Sequence, residues 1–135
     1  MRHLLDISVL FPLFWAGHAH HARCRAWFLK HRHEGWATCA ETQLAFVRLA
    51  ANPAATFQAP LAPAQALALL TAETSHGSHV FLPSSPPEAK FVGRATGHRM
   101  VQDFYLVQLA VQAGAKVATA DEALIRHWPQ HTVKV

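Results

Sequence analysis

Apolar runs too short for helices alternate with longer helical patterns along this chain, and few folds accept that alternation. Residues 3–9 ("HLLDISV") read as a buried strand, apolar on both faces. Pro12 then suits the first turn of a short helix. Residues 19–33 ("AHHARCRAWFLKHRH") read as a helix with Ala22, Ala26, Trp27 and Leu29 as its apolar stripe, and Gly35 stops it. "WATCA" reads as a strand ending near Thr38, with Thr38 as the cap of the helix "AETQLAFVRLA"; Asn52-Pro53 ends that helix. "PAQALALLTAE" opens a helix with Pro63 at its first position. Further on come a strand at 79–83, a loop at 84–87 and a strongly apolar helix at 100–112 ended by Gly114. A buried strand at 116–119, a short helix "DEALIRHW" and a final strand "TVKV" complete the pattern. This order predicts an α/β fold: a central parallel sheet of about five strands with helices on both faces.

A chain of 135 residues suits one domain, 1–135, with a real core. With 51% hydrophobic and 15% charged residues it is no disordered tail. Lys and Arg outnumber Asp and Glu by 12 to 8, and a mildly basic surface fits a polyanionic partner. The two cysteines, Cys24 and Cys39, form no CxxC pair, which argues against a disulfide framework. Asp6 breaks the apolar N-terminus, so no clean leader is read there. No uncharged stretch approaches the ~20 residues of a membrane span. The expectation is a soluble, cytoplasmic protein that keeps its thiols reduced and makes no membrane contact.

Asp6 is the anomaly in this pattern. It stands among Leu4, Leu5, Ile7, Val9, Leu10 and Phe11, where an unpaired carboxylate is costly. Functional sites of parallel α/β folds lie beyond the C-terminal ends of the strands. Asp6 falls near the end of the first strand, Asp121 just after "KVAT", and Asp103 in the first turn of the long helix. Asp121 alone reads as a helix cap and Asp103 alone as a dipole partner. Together with Asp6 they can form an oxygen-donor cluster at one sheet edge, of the kind that suits magnesium or manganese.

The segments "LLDISVLFPLFWAGHAHHARCRAWF", "WATCAETQLAFVRLAANP" and "GHRMVQDFYLVQLAVQAGAKVATADEAL" resemble the PIN-domain ribonucleases, most closely the VapC toxins of type II toxin–antitoxin pairs. Only about 54–90 is weakly matched. The resemblance implies an α/β/α sandwich with an acidic site holding one or two divalent ions. Position by position it makes Asp6, Asp103 and Asp121 the metal-binding acids, with Ser8 and Thr119 supporting them. The family commonly has Glu where this chain has Gln43, which brings no charge. Glu41 stands two residues earlier, about 200° away on a helix, and can still turn toward the site from a first turn. Glu41 is therefore the expected fourth acid, with Gln43 in a supporting role.

The implied activity is metal-dependent hydrolysis of RNA by an endoribonuclease using Mg2+ or Mn2+. The implied partners are an RNA substrate, a VapB-like antitoxin and a second copy of the chain in a homodimer. Arg23, Arg25, Lys30, Arg32, Arg94 and Arg99 become candidate phosphate contacts. Two alternatives stay open: a degenerate PIN domain that binds RNA or protein without cutting, and a housekeeping ribonuclease. Eleven histidines invite a zinc reading, but His20 and His21 point ~100° apart and Arg25 stands four residues after His21. Trp15, Trp27 and Trp36 read as core or dimer packing.

Overall fold

The structure is a computed structural model that describes residues 1–135. Five strands form one sheet in the order β3-β2-β1-β4-β5, and every pairing is parallel. They are β1 (His3–Leu5), β2 (Trp36–Cys39), β3 (His79–Leu82), β4 (Lys116–Thr119) and β5 (Thr132–Lys134). The helices are α1 (Ile7–Phe14), α2 (His21–His31), α3 (Ala40–Ala50), α4 (Pro63–Thr74), α5 (Val101–Gln112) and α6 (Glu122–His127).

The alternation of side chains along each strand splits the core in two. Leu4, Ala37, Cys39 and Val117 face α5 and α6, with Phe104, Val107, Leu124 and Trp128. Leu5, Trp36 and Ala118 face the other layer, with Val9, Phe28, Phe46 and Leu70 from α1 to α4. The result is the three-layer α/β/α sandwich of the PIN type.

Strand order reverses at β1: β2 and β3 run out on one side, β4 and β5 on the other. The crevice beyond the C-terminal ends of β1 and β4 is thus the switch point where such sheets bind ligands.

Three local expectations change. The first strand stops at Leu5, and residues 7–14 are helical. Ile7–Phe14 is apolar almost all round, and such a run has no period that separates strand from buried helix. Asp6 decides the matter: it is extended and its Oδ1 accepts from Ile7 N at 2.8 Å, so it caps α1. Pro12 lies inside α1 and not in its first turn, two residues before the helix ends. Second, α3 is capped at Cys39 and not at Thr38; Thr42 Oγ1 accepts from Cys39 N at 3.1 Å. Third, α2 buries Cys24 and Phe28, one turn apart, while Ala22, Ala26 and Leu29 face solvent. Gly35 does end the segment after α2, at φ 94°, a backbone conformation that glycine tolerates.

Candidate active site

Asp6 leaves β1 directly into the switch-point crevice and is 4% exposed. Its backbone N donates to Ala118 O at 3.0 Å, which ties it to β4. Its Oδ2 accepts from Ser8 Oγ and from Thr119 Oγ1, both at 2.8 Å. Each hydroxyl is used twice: Ser8 Oγ accepts from Ala120 N at 3.0 Å, and Thr119 Oγ1 accepts from Asp121 N at 3.0 Å. The buried carboxylate is therefore satisfied by three donors, Ile7 N and Ser8 Oγ from α1 and Thr119 Oγ1 from β4, which answers the cost of its burial.

Asp121 caps α6, its Oδ1 accepting from Ala123 N at 2.9 Å and Leu124 N at 3.4 Å. Asp103 is the third residue of α5 and lines one cavity with Asp6 and another with Asp121. Burial, then Asp6, then Asp121 push its carboxyl up to about 6. Such a group is short of positive charge.

Asp6, Glu41 and Asp103 line one cleft of about 160 Å³, and Asp103 and Asp121 line a smaller cavity beside it. Asp103 joins the two. Arg48 and Arg99 also line the cleft, and neither pairs with a carboxylate. Glu41 Oε2 is buried without a hydrogen-bond partner. In this arrangement no three His, Cys, Asp or Glu donors stand at distances that would ligate one ion. The donor set is oxygen only, one member lacks any partner, and a second is held above the usual carboxylate range; that chemistry fits a hard divalent cation.

No family model matches the chain. Ribonuclease VapC39 of Mycobacterium tuberculosis is 38% identical over 130 residues, covering 92% of this chain and 91% of the relative. The chain belongs to the VapC ribonuclease family. Ribonuclease VapC38 of the same organism is 38% identical over 119 residues, covering 87% of this chain and 84% of that protein. Ribonuclease VapC44 is 35% identical over 128 residues, covering 92% and 89%.

Within this VapC-family chain the other expected site residues sort by place. Gln43 is not at the cleft. Its Nε2 donates to Thr38 Oγ1 at 2.9 Å, and that hydroxyl lies 2.8 Å from His79 Nε2. The ~200° between Glu41 and Gln43 on a helix puts one at the acids and the other toward β3. Arg99 rims the cleft. Arg23 is exposed on α2 and lines a separate cavity shared with Ser8, His18, His20 and Ala120. Arg25 is exposed and lines none of these cavities. Arg94 is stacked on Trp128, its guanidinium carbon 4.1 Å from the ring centroid.

Arg48 was not among the expected residues, though a signal for it exists. Glu41, Ala45 and Arg48 follow helical spacing, so a Glu41 turned to the cleft brings Arg48 with it. The histidines form no metal cluster. His21 Nδ1 lies 2.8 Å from Pro12 O, and His18 Nδ1 accepts from His20 N. Cys39 offers no nucleophile, since burial pushes its thiol up to about 11.

Proposed function

We propose that this chain is an endoribonuclease that depends on Mg2+ or Mn2+ and acts as the toxin of a VapBC-type pair. The names of its relatives support the activity on RNA. The observation that carries the metal reading is Asp103: a carboxyl raised first by burial and then by Asp6 and Asp121, lining a cavity with each of them and with no cation paired to it. Asp6, Glu41, Asp103 and Asp121 would hold the ion. When bound, it would neutralise the cleft, polarise a water and bind the scissile phosphate.

The chain's own residues do the positioning. Ser8 and Thr119 fix the rotamer of Asp6 from two sides of the crevice. Asp121 spends Oδ1 on the α6 cap, which orients its carboxylate. Arg48 and Arg99 would meet the phosphates on either side of the cut. Gln43 takes no part. A VapB-like antitoxin would cover the cleft, and exposed Leu44, Phe57 and Leu67 support pairing with a second copy of the chain. The reading places the protein in the cytoplasm, and no helix is long and apolar enough to cross a membrane.

The test is cleavage of RNA in Mg2+, in Mn2+ and in chelator, with Asp6→Asn beside the unaltered chain. Cutting that needs the metal and is lost in the variant is expected. Equal cutting by the variant, or none by either, would refute the enzyme reading. A second reading, binding without cutting, is favoured by the missing charge at Gln43 and the lack of three converged donors. Calorimetric titration with Mg2+ separates the two: heat of binding supports the nuclease, and its absence supports the binding module.

A further inference from the structure

A second cavity, of about 390 Å³, opens beside the acid cleft and shares two of its walls, Glu41 and Gln102. Its character differs. Pro87, Val92, Val101 and Tyr105 line it, with Ser84, Gln102 and the shared Glu41 as polar side chains. Val101 is 43% exposed, a large apolar side chain left at the mouth of the cavity.

The far wall is the loop 84–87, and it is held rigidly. Tyr105 Oη donates to Ser85 O at 2.7 Å and accepts from Ser85 N at 3.0 Å. Gln108, fully buried, donates to Pro86 O at 2.8 Å and to Ser85 Oγ at 3.1 Å, and accepts from Glu88 N at 2.8 Å. Gln112 Oε1 accepts from Ser85 Oγ at 2.8 Å. Three side chains one turn apart on α5 thus strap a loop that has no secondary structure of its own. Buried polar networks of this kind fix a shape in advance of any ligand.

We propose that this cavity is a nucleobase subsite: it takes the unpaired base of one nucleotide flanking the scissile phosphate. This rests on the ribonuclease reading above and adds to it the position that reads sequence. The volume of about 390 Å³ lies within the roughly 300–1,000 Å³ of small-molecule sites, and the lining sets Val92, Val101, Pro87 and Tyr105 beside three polar side chains, Glu41, Ser84 and Gln102. Because the two spaces share Glu41 and Gln102 as walls, a strand whose phosphate lies at Asp6 and Asp103 can place its adjacent nucleotide directly into this cavity. Bases of single-stranded RNA splay from the backbone and are taken by apolar faces and edge hydrogen bonds. Arg48 and Arg99, as the proposed phosphate contacts, would position the strand without discriminating bases. Gln102 and Ser84 can discriminate: an amide offers both donor and acceptor, and a hydroxyl serves as either.

Two measurements test this. First, a randomised single-stranded oligoribonucleotide pool is cut by the unaltered chain, Gln102→Ala with Ser84→Ala, and Val101→Trp, and the product ends are sequenced. The unaltered chain should prefer one base at a position flanking the cut. The double variant should lower that preference roughly fivefold or more at that position alone, the scale of losing one or two hydrogen bonds. Val101→Trp, which fills the cavity, should lower kcat/KM by at least tenfold on the preferred sequence and less on others. Second, methyl NMR follows Val92 and Val101 during titration with each of the four nucleoside monophosphates in chelator, and one should shift them more than the rest. An unaltered preference profile in both variants, or valine methyls that ignore all four nucleotides and shift only with a protein partner, overturns the proposal. Shifted methyls in a chain that cuts no RNA would overturn the nuclease reading and leave the subsite standing.

Discussion

Asp103→Asn isolates the charge problem at the cleft. The carboxyl sits at about 6 in the folded chain against 3.8 for an ordinary aspartate. Between those values the folded chain holds a proton that the unfolded chain has lost. Stability from this group is therefore full below about pH 4 and falls as pH rises to about 6. Moving a carboxyl from 3.8 to about 6 corresponds to about 3 kcal/mol. Two effects reduce it. The cleft is partly open, so solvent screens the three acids. In the first turn of α5 the ionised form also gains about 0.3–1 kcal/mol from the helix dipole, which asparagine forfeits. In chelator at about pH 7.5 the variant should therefore be more stable than the unaltered chain by about 1–2 kcal/mol. At about pH 4 the two should coincide. Urea titrations at both pH values, read by far-UV circular dichroism, give the difference, and comparing the two chains cancels every titrating group not coupled to Asp103. A variant that is less stable at the higher pH, or a gap that persists in acid, would show that burial, Asp6 and Asp121 do not raise Asp103 as argued. Adding Mg2+ should reverse the order, because the ion stabilises only the chain that binds it.

Asp121 combines a cap with a proposed ligand, and two substitutions separate them. Asp121→Asn should keep stability within about 0.5 kcal/mol and abolish cleavage, whereas Asp121→Ala should also lose about 1 kcal/mol in urea titration. Thr119→Val removes a hydroxyl that bridges Asp6 and Asp121, and a loss of about 1–3 kcal/mol is expected by the same assay. Glu41→Gln should lower the cleavage rate by about two orders of magnitude or more. Gln43→Glu should leave that rate within about twofold, since position 43 points about 200° away from Glu41 on the helix, toward β3 and not the acids.

Much of the architecture is written locally. Pro63, Gly35 and Asn52-Pro53 punctuate the helices where they fall, and the short apolar runs give five strands in order. The failures share a cause. "ISVLF" and "ATCA" have no period that marks where strand yields to helix, and the side-chain caps at Asp6 and Cys39 settle it. On α2, composition favoured alanines and a leucine, yet position relative to the sheet chose Cys24 and Phe28. Asp6 was legible because it breaks an apolar run and Asp121 because it follows a strand end, whereas Asp103 obeys the rule for a first helical turn and stood out only beside them. The second cavity was not legible, because residues 41, 84, 92, 101 and 105 meet only through the tertiary fold.

The contact between Asp6 and Thr119 spans 113 positions of the chain. Its consequence concerns synthesis. A chain emerging from the ribosome can form β1, β2 and the helices between them long before residue 119 exists. Until then Asp6 has only Ser8 and Ile7 for company, and Asp121 has not been made. On the proposed reading the growing polypeptide is harmless to the message that encodes it, and it becomes a nuclease only when its penultimate strand docks.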